Sequence, residues 1–248
     1  MRIAHPGSME VVCSDPMTAI NIFLKHARDL FNCKNTSYWL AGDGVPDREK
    51  FITETVNTDP TCRELLLIRS RKSPFITAKD AICVLENCKA DILRISDEIE
   101  PFYDRQITIS CKLLYMRPAD SFDLINVLNS NCQRALMVDV GESSPSVMNT
   151  YLKEWIKGEH PEMIHLLLMP GFYHSVEHEI FDNIEKEAAD ESRNLDDYVF
   201  PFGSVSGIYP LGYDEYNYHE YDICRNDGTI ATISNCYDFF VFHVWRLK

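Results

Sequence analysis

Short apolar runs recur along the first two thirds of the chain, and each is rich in Leu, Ile and Val with some Met. Runs of this length and composition are typical of strands that are buried on at least one face. Five of the runs follow a cysteine, in the segments FNCKNTSYWL, PTCRELLLIR, ENCKADILRI, ISCKLLYMRP and SNCQRALMVD. A sixth run, Met163–Met169, follows without a cysteine. The pattern predicts six short strands.

The spacing of the cysteines indicates a repeat. They are Cys33, Cys62, Cys88, Cys111 and Cys132, so the successive steps are 29, 26, 23 and 21 residues. Strand–helix units of about 20–29 residues are typical of leucine-rich repeats, in which a small residue lies inside the turn at the cysteine position. The alternative is a non-repetitive α/β domain in which the cysteines are buried by chance.

Segments with helical spacing lie between several of the runs. The predicted helices are Asp15–Phe31, Pro74–Asn87 with Thr77 or Ser73 as its cap, Ser121–Leu128 and Val147–Lys157. The last of them is followed by Gly158 and Pro161, which is a typical signal for the end of a helix.

The composition changes after Met169. Residues 174–189 are acidic and predict one helix, with a polar loop behind it. Residues 199–218 are rich in Pro, Gly and aromatic side chains, which is typical of an irregular loop. The sequence Asn-Asp-Gly at residues 226–228 separates two β-rich runs and predicts a tight hairpin, and Phe239–Leu247 could add a third strand.

The sequence therefore predicts an α/β fold, a leucine-rich-repeat-like strand–helix solenoid closed by a C-terminal antiparallel β meander. We expect an N-terminal leader at residues 1–16 and the repeats at residues 17–169. Residues 170–248 are expected to form a continuous cap of acidic helix, aromatic loop and β-hairpin.

Charge and cysteine content narrow the class of protein. Thirty-eight acidic residues against 24 basic residues give a formal net charge of −14, which disfavours nucleic acids and anionic membranes as partners. No signal peptide is visible, and no apolar stretch approaches the roughly 20 residues of a spanning helix. Nine cysteines without secretion signals favour a reduced intracellular compartment, cytoplasmic or nuclear.

The chain carries no phosphate-binding, dinucleotide-binding or nucleophile-elbow motif. His174 and His178 have the helical spacing of a zinc pair, but a solvated acidic helix explains them better. We therefore predict no catalytic, cofactor-binding or metal-binding residues. A cysteine-dependent hydrolase is the most distant of the possible functions, because no local signature favours one cysteine over the others.

Two groups of side chains are predicted to contact a partner. Arginines near the ends of the predicted strands could face a partner from the sheet, and an acidic peptide would suit them. Tyrosines in the run GYDEYNYHEYD could form a contact patch, because tyrosine supplies a large contact area at low entropic cost. The predicted partner-binding residues are Arg69, Arg94, Arg117, Tyr213, Tyr216 and Tyr218.

Two further stretches resemble the nematode F-box-associated family. The first is VMNTYLKEWIKGEHPEMIHLLL, where Asn149, Leu152, Lys153, Trp155, Gly158, Pro161 and Leu166 fit the family pattern. The second is YDICRNDGTIATI, where Asp222, Ile223, Arg225, Asp227, Gly228, Ala231, Thr232 and Ile233 fit the closing hairpin of the family.

The resemblance implies a function in protein recognition. In that family an F-box docks on the adaptor of a cullin-based (SCF) ubiquitin ligase, and the region after it selects the substrate. No F-box is visible in this sequence, so binding of the adaptor is expected only if an F-box is present upstream. A stand-alone interaction scaffold without a link to the ligase is the alternative. Either function is non-catalytic and needs no cofactor.

Overall fold

The computed structural model describes most of the chain, and statements about structure refer to this part. The described residues are 2–5, 8–10, 16–31, 37–40, 50, 52–55, 62–69, 75–102, 106–120, 122–140, 144–160, 162–169, 176–190, 192–193, 199–200, 203–204, 219–235 and 239–245.

Fourteen strands are present among these residues. They are β1 Arg2–His5, β2 Ser8–Glu10, β3 Ser37–Leu40, β4 Glu64–Leu67, β5 Ile92–Ile95, β6 Leu113–Met116, β7 Arg134–Val138, β8 His165–Met169, β9 Glu187–Ala188, β10 Val199–Phe200, β11 Gly203–Ser204, β12 His219–Cys224, β13 Ile230–Asn235 and β14 Phe240–Trp245. All six predicted runs contain a strand, from β3 in the first run to β8 in Met163–Met169.

The helices are α1 Pro16–Phe31, α2 at residues 52–55, α3 Ala78–Asn87, α4 Leu124–Leu128, α5 Pro145–Lys157 and α6 Glu177–Ile180. Local signals set several of their ends. The Thr77 hydroxyl accepts a hydrogen bond from the backbone N–H of Asp80 at 3.1 Å and caps α3. Gly158 ends α5 with φ of 101°, a left-handed conformation that favours glycine. None of the helices in the described part of the chain has the length and apolar content needed to cross a membrane.

Ten strands form one mixed sheet, in the order β3-β4-β5-β6-β7-β8-β14-β13-β12-β9. Strands β3 to β8 are parallel and follow one another in sequence order. Strand β14 then pairs antiparallel with β8, and β13, β12 and β9 continue the antiparallel part. The predicted α/β class with a C-terminal antiparallel meander is confirmed, and the meander extends the same sheet.

The main core lies between one face of this sheet and the helices. Alternate strand residues such as Leu65, Leu93 and Leu114 point into it and are fully buried. They pack with apolar residues of α3, α4 and α5, of which Val84, Val127 and Leu152 are all 0% exposed. We call this side of the sheet the helix side, and the opposite side the front face.

One expectation about the segment after Met169 was wrong. The acidic helix predicted for residues 174–189 ends at Ile180, and Glu187–Ala188 is a strand that pairs with β12. The buried side chains of Phe181 and Ile184 hold the chain in a turn there instead of continuing the helix. The predicted leader and aromatic loop each contain a short antiparallel pair, β1 with β2 and β10 with β11.

Candidate functional site

The front face is built by every second residue of the strands. Because the parallel strands are in register, these residues form rows that cross the sheet. One row is Trp39, Leu66, Arg94, Tyr115, Leu136, Leu167, Val241 and Ser234. It contains large apolar and aromatic side chains along almost its whole length.

The exposure of the side chains changes along the row, so that the front face has an open half and a covered half. On the open half, formed by β3 to β6, Trp39 is 74% exposed and Tyr115 is partly exposed. On the covered half, formed by β7, β8, β14 and β13, Leu136 and Leu167 are 0% exposed. An exposed Trp in line with Leu, Arg and Tyr is unusual for a free protein surface and is typical of the residues that anchor protein interfaces.

Arg94 is the charged residue at the centre of the open half. Its guanidinium lies 3.3 Å from the Glu64 carboxylate on β4 and 5.3 Å from the centre of the Tyr115 ring on β6. These two contacts hold the guanidinium on the front face between β4 and β6.

The other two predicted arginines lie just beyond the ends of their strands. The Arg69 Nε lies 3.3 Å from Asp97, and the Arg117 Nε lies 3.5 Å from Asp139. Each acid follows the adjacent strand, so these exposed pairs link neighbouring strands laterally and contribute little to stability. The structure therefore places only Arg94 within the face. Tyr213, Tyr216 and Tyr218 lie outside the described residues, and their binding role stays a prediction.

The row was hard to find from the sequence because the distance from cysteine to strand varies. Strands β4, β6 and β7 begin two residues after Cys62, Cys111 and Cys132, whereas β5 begins four residues after Cys88. One fixed offset therefore selects Arg94 but misses Leu66 and Tyr115. The register of the sheet brings Leu66, Arg94 and Tyr115 into one row, and the periodicity of the sequence does not report that register.

A buried polar group occupies the covered half of the front face. His165 on β8 and His243 on β14 face each other, with 3.0 Å between their Nδ1 atoms, so one ring donates and the other accepts. Burial, with help from the positive charge of Arg134, lowers the pKa of His243 to about 4. Burial, with help from His243 and Arg134, also holds the pKa of His165 well below its usual range.

A second set of hydrogen bonds crosses the antiparallel strands. The Trp245 indole N–H donates to the Thr232 hydroxyl at 2.7 Å, and that hydroxyl donates to Asp222 at 2.5 Å. Arg193 donates to the other carboxylate oxygen of Asp222 at 2.5 Å. Asp222, one of the family-motif residues, thus joins β12 and β13 to the segment after β9.

The first family motif forms the helix that closes the parallel part of the core. Leu152 and Trp155 of α5 are fully buried, and the Trp155 ring meets the Phe242 ring edge-on at 5.3 Å. The Asn149 amide donates to the backbone carbonyls of Ile180 and Asp182, both at 2.9 Å. Asn149 therefore fixes the point at which the chain leaves α6.

The second family motif contacts the first. The Arg225 guanidinium lies 5.6 Å from the centre of the Trp155 ring, and the backbone N–H of Asn226 donates to the Ile156 carbonyl at 2.9 Å. Within the hairpin, Arg225 pairs with Asp227, and Gly228 has φ of 88°, a conformation that glycine adopts without strain. The two motifs are far apart in sequence and form one structural unit.

Replacing Asn149 with alanine is expected to lower the free energy of unfolding by about 1–2 kcal/mol, because two backbone carbonyls lose their donor. Urea denaturation measures this change. The neighbouring variant Thr150→Ala, which alters an exposed helical residue, is expected to stay within about 0.5 kcal/mol of the parent. Equal stability of the two variants would contradict the structural role assigned to Asn149.

Four of the described cysteines precede strands and pack inside the core. Cys62, Cys88, Cys111 and Cys132 are all buried. Hydrogen bonds from neighbouring thiols are the main cause of the lowered pKa values of Cys88 and Cys132, and Cys111 has a raised pKa. Cys132 donates to the Arg134 carbonyl at 2.9 Å. Thiols that bond to one another and to the backbone inside a core are packing groups.

Comparison with known families adds one finding. Residues 103–168 match the family model described as F-box associated, whereas no curated protein and no solved structure matches the chain. The matched range includes the first motif from Asn149 to Leu166 and ends before the second. The resemblance to an F-box-associated family is thereby confirmed over residues 103–168 of this chain.

Proposed function

We propose that this protein is a non-catalytic recognition module that binds a protein substrate for an SCF-type ubiquitin ligase through the open half of its front face. The observation that carries the proposal is the row Trp39, Leu66, Arg94 and Tyr115. These side chains present aromatic, apolar and cationic groups side by side on a rigid sheet, which is the chemistry of interface anchors. The F-box-associated match supports the link to a ligase.

The proposal includes a repeat architecture. We infer that residues 17–169 form a leucine-rich-repeat-like solenoid and that residues 170–248 close it. Support comes from the parallel strands, which follow sequence order, and from the buried cysteines that precede four of them. A solenoid presents successive strands as one continuous surface, which suits recognition of an extended partner.

Affinity purification from cells with quantitative proteomics tests the proposal. The double variant Trp39→Ala/Tyr115→Ala is expected to recover the substrate at least tenfold less than the parent, since aromatic anchors at interfaces contribute about 2 kcal/mol or more each. The matched control is Leu30→Ala, which truncates a side chain of α1 that is 71% exposed. It is expected to leave recovery unchanged.

Three further outcomes separate the alternatives. If the partner becomes more abundant when this protein is depleted, and the cullin-complex adaptor co-purifies with both, the ligase function is supported. A partner that depends on the front face, without adaptor and without a change in abundance, would indicate the stand-alone scaffold. Partners that bind the double variant as well as the parent would refute the front face as the recognition surface.

A further inference from the structure

A groove opens between α4 and α5, on the helix side of the sheet and away from the front face. It has a volume of about 190 Å³ and is open to solvent. Apolar side chains line much of it, among them Ile125 and Leu128 of α4 and Val147 and Tyr151 of α5. Ile125 is 42% exposed although it is large and apolar.

Polar and acidic groups mark one end of the groove. Glu154 of α5 lines the groove, and its carboxylate lies within 4.8 Å of the carboxylate of Glu159 and of the His160 ring. Nε2 of His160 lies 2.9 Å from Glu154. The C-terminal carbonyls of α5 add partial negative charge at the same end, because the helix dipole points that way.

Few described basic side chains lie close enough to neutralise this end. Lys153 lies 3.9 Å from Asp182 on the other side of α5. Lys157 is exposed one turn beyond Glu154 and makes no ion pair within 4 Å with any described residue. The chain as a whole carries a net charge of −14, so a cationic partner is attracted to it over a distance as well.

We propose that this groove binds a short segment of a partner protein in which an apolar side chain is followed closely by an arginine or lysine. The apolar side chain lies between Ile125 and Val147, and the cationic group pairs with Glu154 and Glu159. The proposal does not depend on the function assigned to the front face, because the groove lies on the opposite side of the sheet.

Fluorescence anisotropy with labelled synthetic peptides tests the proposal on the full chain. Each peptide carries one leucine and one arginine, separated by zero to three residues, and its counterparts replace the arginine by glutamate or the leucine by serine. At least one parent peptide is expected to bind with a Kd of roughly 10–500 μM, as a small groove allows. Both counterparts are expected to bind at least tenfold more weakly.

Variants of the protein locate the site. Glu159→Gln, a change at an exposed residue, and Glu154→Gln are each expected to weaken binding by roughly fivefold to tenfold, and more at low salt than at high salt. Thr150→Trp, which places a large ring in the groove, is expected to abolish it. The control Glu185→Gln makes the same charge change at an exposed residue of another segment and is expected to leave the Kd unchanged.

Several results would overturn the proposal. It fails if no peptide of the set binds, if the glutamate counterpart binds as well as the parent, or if Glu185→Gln weakens binding as much as Glu159→Gln. It also fails if Zn²⁺ alone binds stoichiometrically in calorimetry, with affinity lost in Glu159→Gln, because the acidic end would then be a metal site. If Thr150→Trp does not fold, Glu159→Gln still decides the question.

Discussion

Replacing Trp155 with alanine is expected to lower the free energy of unfolding by about 3–5 kcal/mol. The side chain is fully buried and contacts two parts of the chain that are distant in sequence. Its ring packs edge-on against Phe242 of β14 and lies beneath the guanidinium of Arg225 in the hairpin. Urea denaturation followed by circular dichroism measures the change, together with the loss of cooperativity if the hairpin separates from α5.

A matched substitution distinguishes ring packing from hydrogen bonding. The indole N–H of Trp155 is buried and has no hydrogen-bond partner among the described residues. Trp155→Phe removes that donor and keeps an aromatic ring against Phe242, so we expect a smaller loss of about 1–2 kcal/mol. If Trp155→Phe lowers the free energy of unfolding as much as Trp155→Ala does, packing of an aromatic ring against Phe242 does not explain the stability that Trp155 contributes.

Acidification is expected to destabilise the protein before most carboxylates titrate. The pKa of His243 falls from 6.5 to about 4 on folding, so the unfolded chain binds the proton more tightly. Stability from this group is present above pH 6.5 and is lost as the pH falls toward 4. Linkage gives a loss of about 2 kcal/mol between pH 7 and pH 5, and the lowered pKa of His165 adds to it.

Comparison with variants isolates the histidines from the rest of the titration. The net charge approaches zero near the pI of about 4.9, which relieves repulsion and opposes the effect in every variant alike. The free energy of unfolding of His243→Gln is expected to change less between pH 7 and pH 5 than that of the parent. His178→Gln, at an exposed site, should retain the parent's pH dependence. An identical pH dependence of His243→Gln and the parent would contradict the role of the buried pair.

Locally determined features could be predicted from the sequence. The start of α3 and the end of α5 were predicted correctly, because Thr77 and Gly158 act within one turn of the helix terminus that they cap. The closing hairpin was also predictable, since Asn-Asp-Gly favours its turn whatever the strands contact later. The strands that follow the cysteines could also be predicted, because their apolar runs are buried on the helix side.

Features that depend on distant contacts could not be predicted. Helix α6 ends at Ile180, and the Asn149 amide, some thirty residues earlier, donates hydrogen bonds to the carbonyls of Ile180 and Asp182. Strand β14 pairs with β8 instead of covering the sheet from above, and periodicity does not report which strand a meander joins. The front-face row was missed for a related reason. The offset from cysteine to strand shifts by two residues between β4 and β5, so a fixed offset keeps the same face but selects a residue outside the row.

The change from parallel to antiparallel pairing at β8 has a consequence for synthesis on the ribosome. Each of β4 to β8 pairs with the strand made just before it, so the growing sheet can add strands as the chain emerges. The free edge of β8 gains its partner only after Phe240–Trp245 have been made. During that interval an apolar strand edge is available to other nascent chains, and this is the stage at which a chaperone would protect the protein best.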